Sequence, residues 1–168
     1  MPTDRGRPSL KLIPKTGGEE GGPRSNRATN APAPPFDYSA LRPGLHLFNH
    51  AHFFDAHEVL EDLWRSLPSL SLTRQRLRLH VQGMIQLAVA FHHASTGNRV
   101  GALSVLQRAL RNLKGAERSF PQLDFDRLRA ESALWETFLD RSVATGAKTN
   151  RRHPAPALPK IRLRRTSA

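Results

Sequence analysis

Residues 57–64 read His-Glu-Val-Leu-Glu-Asp-Leu-Trp, and this H-E-x-x-E-x-x-W order sets an imidazole and two carboxylates within about one helical turn. At ~100° per residue, His57, Glu61 and Trp64 fall on one stripe at the edge of an apolar face. A histidine and a glutamate at i and i+4 can chelate a divalent metal. Glu58 stands where H-E-x-x-H metalloproteases carry their general base. The second histidine of that motif is replaced here by Glu61, and no third ligand follows at a diagnostic spacing. A purely structural reading is equally concrete: Glu61 pairs with Arg65 at i+4, and His57 bonds to a core neighbour.

A second set of polar residues lies downstream. Leu77, Val81, Met84, Ile85, Leu87, Ala88 and Phe91 would cover most of the circumference of a helix, which marks it as a central, buried one. Gln82, Gln86 and His93 share one stripe of it with Val89. Buried amides and imidazoles left unpaired cost about 1–3 kcal/mol each, so these three require partners. The nearest charged groups are on the His57/Glu61 edge. We therefore expect a polar pocket between the second and third helices, with Trp64 as its apolar wall. At least one of Gln82, Gln86 and His93 should lie within hydrogen-bond reach of His57 or Glu61. Gly83, poor in a helix by ~1 kcal/mol, would let another backbone approach there. Were the pocket a metal site, its candidate ligands would be His57, Glu61 and His93, with Glu58 the candidate base of a metal-dependent hydrolase.

His46, His50 and His52 crowd the turn before the second helix and read as solvated, while His92 points ~100° away from His93. The chain has no cysteine, which excludes disulfides, thiolate metal sites and cysteine nucleophiles. It has no P-loop, dinucleotide fingerprint or G-x-S-x-G elbow, so no nucleotide cofactor is expected.

These residues must be positioned by helices. Apolar residues recur at spacings of three and four, and no segment alternates with period two. The pattern predicts five helices: about Leu41 to Asn49, His52 to Leu67, Thr73 to Thr96, Asn98 to Gly115, and one starting after Asp124. Thr73 reads as an N-cap, Pro68 and Gly97 as stops. Val100 and Leu134 are expected to face inward with their neighbours. A faint internal repeat lays Ala56, Val59 and Leu60 on Ala102, Val105 and Leu106. The expected fold is an all-α compact bundle of about five helices arranged as antiparallel hairpins.

The net charge of +12 is unevenly spread. Lys plus Arg against Asp plus Glu is six to four in residues 1–40, twelve to ten in 41–140, and eight to none in 141–168. Eight of thirteen prolines lie in residues 1–43. Residues 1–40 therefore read as a disordered Pro/Gly-rich tail, 41–142 as the bundle, and 143–168 as a disordered basic tail with Ile161 and Leu163 its obvious apolar points. Arg151, Arg152, Lys160, Arg162, Arg164 and Arg165 could give weak, non-specific nucleic-acid binding, though no aromatic residue follows Phe138 to stack on bases. No apolar run in the first 30 residues resembles a signal peptide, and Val81 to Phe91 is too short to cross a bilayer, so a cytoplasmic location is expected.

The blocks Phe48-Asn49, Phe53 to Arg65, Gln82-Gly83-Met84-Ile85-Gln86-Leu87-Ala88, His93, and Gly97-Asn98-Arg99-Val100-Gly101-Ala102 follow one another in a specific order and spacing. Over about residues 41–113 the chain resembles the prokaryotic domain-of-unknown-function family numbered three hundred and nine. The resemblance implies a compact helical bundle and no established activity. It carries over His57, Glu58, Glu61, Trp64, Gln82, Gln86, His93 and Asn98 as the family's pattern. Three readings stay open: a bundle with a polar pocket of unknown function, a metal-dependent hydrolase, and a nucleic-acid module acting through the tail.

Overall fold

Proline in a first helical turn, a left-handed turn and a run of caps divide the described residues into five α-helices. They are α1 (Arg42–Asn49), α2 (Phe53–Ser66), α3 (Leu72–Ser95), α4 (Arg99–Asn112) and α5 (Phe125–Ala144). The computed structural model describes residues 36–68, 71–146 and 154–165. Each helix packs against the next one in sequence, as expected of a bundle of successive hairpins. No helix among the described residues is long and apolar enough to cross a membrane. No β-strand occurs among them either, and an isolated antiparallel bridge joins Leu123 to Leu163.

The termination of α1 sets the geometry of one end. His52 N–H donates to the Leu47 carbonyl and Ala51 N–H to the Phe48 carbonyl, each at 3.0 Å. This is the paired closure of a Schellman motif, and it forces Ala51 to a φ of 64°. Asn49 is thereby held at the rim of the bundle while Phe48 and Phe53 enter the core.

α3 is the central helix, burying Val81, Met84, Leu87, Ala88 and Phe91. Its N-cap is Ser71, whose hydroxyl accepts from Arg74 N–H, so the helix starts just ahead of the expected Thr73. Gly83 does permit a close approach, but to α4. A Cβ there would stand 2.7 Å from Leu113 Cγ and 3.3 Å from the Ala109 carbonyl. Across the faint repeat, Ala56, Leu60, Ala102 and Leu106 are all fully buried.

α5 starts at an N-cap, Asp124, whose carboxylate accepts from Arg127 N–H. It buries Phe125, Leu128, Ser132, Trp135, Leu139 and Ser142, alternating steps of three and four. Leu134 falls off that stripe and is 61% exposed, and Val100, in the first turn of α4 where no neighbour covers it, is 67% exposed. Neither faces inward as expected.

Both domain boundaries differ from the composition-based ones where residues are described. Phe36 packs edge-on against Phe120, and Tyr38 begins a 3₁₀ turn, Tyr38–Leu41, and donates to the Ser119 carbonyl, so packing begins ahead of residue 41. α5 continues to Ala144. Residues 154–165 then run along the bundle with Pro159 and Ile161 buried, although they lie within the stretch expected to be a disordered basic tail. The physical reason is that polar groups of the bundle bind their main chain, which composition does not register. Residues 1–35, 147–153 and 166–168 of the two expected tails lie outside the described residues.

Candidate functional site

The H-E-x-x-E-x-x-W residues form a chain of contacts along α2. His57 Nδ1 lies 3.6 Å from Glu58 Oε1 and its Nε2 3.3 Å from Glu61 Oε2. Arg65 donates to Glu61 at 2.7 Å and to Asp62 at 3.2 Å. The i,i+4 pair anticipated from spacing is therefore present. Glu58, the candidate base, is exposed. Phe54 is 55% exposed and its ring stands 6.3 Å from that of His57 and 5.7 Å from that of His92. It is His92, not His93, that α3 offers to this edge of α2.

The expected cross-helix network is not formed. Gln86 Oε1 accepts from Asn112 Nδ2 of α4 at 2.9 Å. His93 Nδ1 lies 3.4 Å from Asn98 Nδ2, at the turn between α3 and α4. Gln82 is half-buried, and no hydrogen bond links it to His57 or Glu61 among the described residues. Gln86 and His93 thus serve α4 and its leading turn. α3 packs against both α2 and α4, and a helix apolar on nearly every side does not reveal which flank faces which neighbour.

His57, Glu61 and His93 consequently do not assemble as ligands. Among the described residues, no group of three or more His, Asp or Glu side chains is arranged to hold a metal ion. An open cleft of about 760 Å³ lies instead between α4 and α5, lined by Gln107, Arg111, Lys114, Glu117, Arg129 and Glu136 among others. A second, of about 350 Å³, includes Asn98 and Val143.

Trp64 packs against the core and carries the Arg78 guanidinium 4.0 Å from its ring centroid. Arg78 also donates to the Trp64 carbonyl at 2.7 Å and to the Leu67 carbonyl, closing the C-terminal end of α2. Trp64 Nε1 is buried without a hydrogen-bond partner in the described structure. Asn98 caps α4, its Oδ1 accepting from Gly101 N–H at 2.9 Å.

The quoted sequence blocks thus lie on α1, α2, α3 and the first turn of α4, in their expected order. Residues 41–105 match the family model of DUF309, a domain of unknown function. The DUF309 match ends inside α4 and holds His57, Glu58, Glu61, Trp64, Gln82, Gln86, His93 and Asn98, while Asn112 and the lining of the larger cleft lie beyond it. Over 74 residues the chain is 35% identical to "Uncharacterized protein YpuF" of Bacillus subtilis (strain 168), covering 44% of this chain and 40% of that one. Over 90 residues it is 24% identical to an "Uncharacterized protein" of Aquifex aeolicus (strain VF5), covering 54% of this chain and 26% of the other. The chain spans less than half the length of these curated relatives.

Several interacting residues carried no expectation. Asn49, inside the DUF309 match, pairs with Ile161 through both ends of its amide, each at 2.8 Å. Glu131 accepts from Arg127 at 2.9 Å, from Arg162 at 2.7 Å and from Lys160 N–H at 3.0 Å. Burial alone would raise the Glu131 carboxyl. The three hydrogen bonds and the Arg162 charge outweigh it and hold the group at about 2. Arg164 lies 3.6 Å from Asp126. His80 is buried, with Nδ1 2.7 Å from Ser119 Oγ. Burial lowers its pKa, against the Lys114 carbonyl and Glu117, which favour the charged ring. The sequence signal for the docked segment was its pair of apolar points, Ile161 and Leu163, of which Ile161 is buried and Leu163 is exposed but bridges to Leu123. Of the tail cations, Arg162 and Arg164 are engaged by carboxylates and Lys160 and Arg165 are exposed. Arg151 and Arg152 lie outside the described residues.

Proposed function

We propose that this protein is a non-catalytic interaction module, in which the polar residues of the DUF309 segment position helices and do not carry a reaction. The observation that supports this reading is their dispersal: His57 and Glu61 along α2, Gln86 to Asn112, His93 to the Asn98 cap. Acid–base or metal chemistry requires such groups to converge on a common point within hydrogen-bond reach. A cytoplasmic location belongs to the same proposal, and cell fractionation tests it.

The experiment is metal analysis of full-length protein purified without chelators, paired with thermal melts of Gln86→Leu and Glu58→Ala. The module reading expects no stoichiometric metal, a lowered Tm for Gln86→Leu and an unchanged one for Glu58→Ala. A stoichiometric metal that disappears in His57→Ala would overturn it and restore the hydrolase reading.

A further inference from the structure

We propose that the groove between the end of α1, the 122–124 loop and α5 is a binding site for an extended peptide, and that in trans it takes the 157–164 arm of a second copy of this chain. This deepens the interaction-module reading and rests on it.

The groove grips main chain. Trp135 Nε1 donates to the Ala157 carbonyl at 3.0 Å, and Glu131 accepts from Lys160 N–H. Asn49 accepts from Ile161 N–H and donates to the Ile161 carbonyl, doing with one side chain what a neighbouring strand does with its backbone. Asp124 N–H donates to the Arg162 carbonyl at 2.9 Å, and Arg164 N–H donates to the Gln122 carbonyl at 2.8 Å. Recognition of this kind gives affinity through main-chain hydrogen bonds and specificity through side-chain pockets. The side-chain readers are also defined. Ile161 enters the core with 4% of its surface exposed, Arg162 meets Glu131, and Arg164 meets Asp126.

Every one of these contacts starts at or after Ala157, so none depends on which copy supplies the arm. A groove with its own arm withdrawn presents two carboxylates and an apolar socket. A second copy carries the one sequence that demonstrably fills them, with arginines opposite those carboxylates. Reciprocal exchange closes a two-fold dimer without any new contact. Within a single chain the tether favours the intramolecular pairing, because a short linker supplies an effective concentration of order millimolar. Exchange is therefore exposed by breaking the intramolecular pairing on opposite sides in two chains.

The test uses two full-length variants. Ile161→Asp spoils the arm and leaves the groove intact; Glu131→Arg spoils the groove and leaves the arm intact. Each alone should run as an 18.8 kDa monomer. Their equimolar mixture should double in mass as a one-to-one heterodimer. Placing Glu131→Arg and Arg162→Glu in one chain should restore the ion pair with its signs reversed, so that this chain no longer pairs with the arm-spoiled variant. If helix content shows that Ile161→Asp is unfolded, Arg162→Glu replaces it, since that variant keeps the buried isoleucine. A synthetic 157–164 peptide is titrated into the arm-spoiled chain in parallel, where binding about ten-fold or more tighter than to the parent chain is expected. A mixture that stays monomeric while the peptide binds overturns the exchange and leaves the module standing. If neither the peptide nor the second copy binds, both readings fail.

Discussion

Asn49 and Ile161 are 112 residues apart, yet one side-chain amide satisfies both main-chain groups of the other residue, donating at 2.8 Å and accepting at 2.8 Å. This pairing fastens a segment from near the C-terminus to the last residue of α1. Removing the amide leaves a half-buried N–H and C=O without partners. Asn49→Ala should therefore destabilise the protein by about 1–3 kcal/mol. Amide exchange at Ile161 and Arg164 should quicken in the same variant. Unchanged protection at both would show that the apolar socket alone holds the arm.

Glu131 makes the fold sensitive to strong acid. Its pKa is 4.5 in the unfolded chain and about 2 when folded, so the unfolded state binds its proton first as pH falls. The stabilisation is fully present above 4.5 and is lost progressively as pH drops toward 2. It amounts to about 2 kcal/mol, after allowing for the solvent that still reaches the carboxylate. Urea titrations at stepped pH should show this loss in the parent chain. In Glu131→Gln the slope between those pH values should shrink.

His80 acts at milder pH. Burial depresses its folded pKa below the ordinary 6.5, so the unfolded chain takes up the proton first. Stability from the neutral ring is complete above 6.5, falls as pH drops from there through the folded value, and levels off below it. Tm measured from pH 8 to 5 should decline in the parent chain and decline less in His80→Gln. Ring-proton NMR of His80 should report a titration midpoint below 6.5.

Ala51 holds a left-handed backbone conformation, φ 64°, at the turn between α1 and α2. A Cβ there costs about 1 kcal/mol or more, whereas glycine adopts this conformation freely at some cost in unfolded-state entropy. Ala51→Gly should raise stability by ~0.5 kcal/mol, read as a higher urea midpoint at constant m-value. A lower midpoint would mean that the alanine methyl contributes packing that outweighs the strain.

Local physics was legible in the sequence alone. The three- and four-residue apolar spacing marks α5 as a helix and most of its buried stripe, with Leu134 the exception. The helix starts read at Asn98 and after Asp124 hold to within a residue, and Glu61 meets Arg65 where i,i+4 geometry requires. These features depend on groups within one or two turns of each other, so spacing along the chain is spacing in space. Tertiary structure decided the rest. Gln86 needed a partner, and its identity as such could be read, but Asn112 rather than His57 or Glu61 supplies it. A central helix apolar almost all round carries no mark of which neighbour covers which flank. The arm is the sharper case. Its prolines and arginines describe a segment unable to fold by itself, and that is true of residues 154–165 taken alone. What orders them is a side-chain amide at residue 49 and a carboxylate at residue 131. Those groups come into register only after five helices have packed, and only then does an otherwise unpaired main chain find its partners.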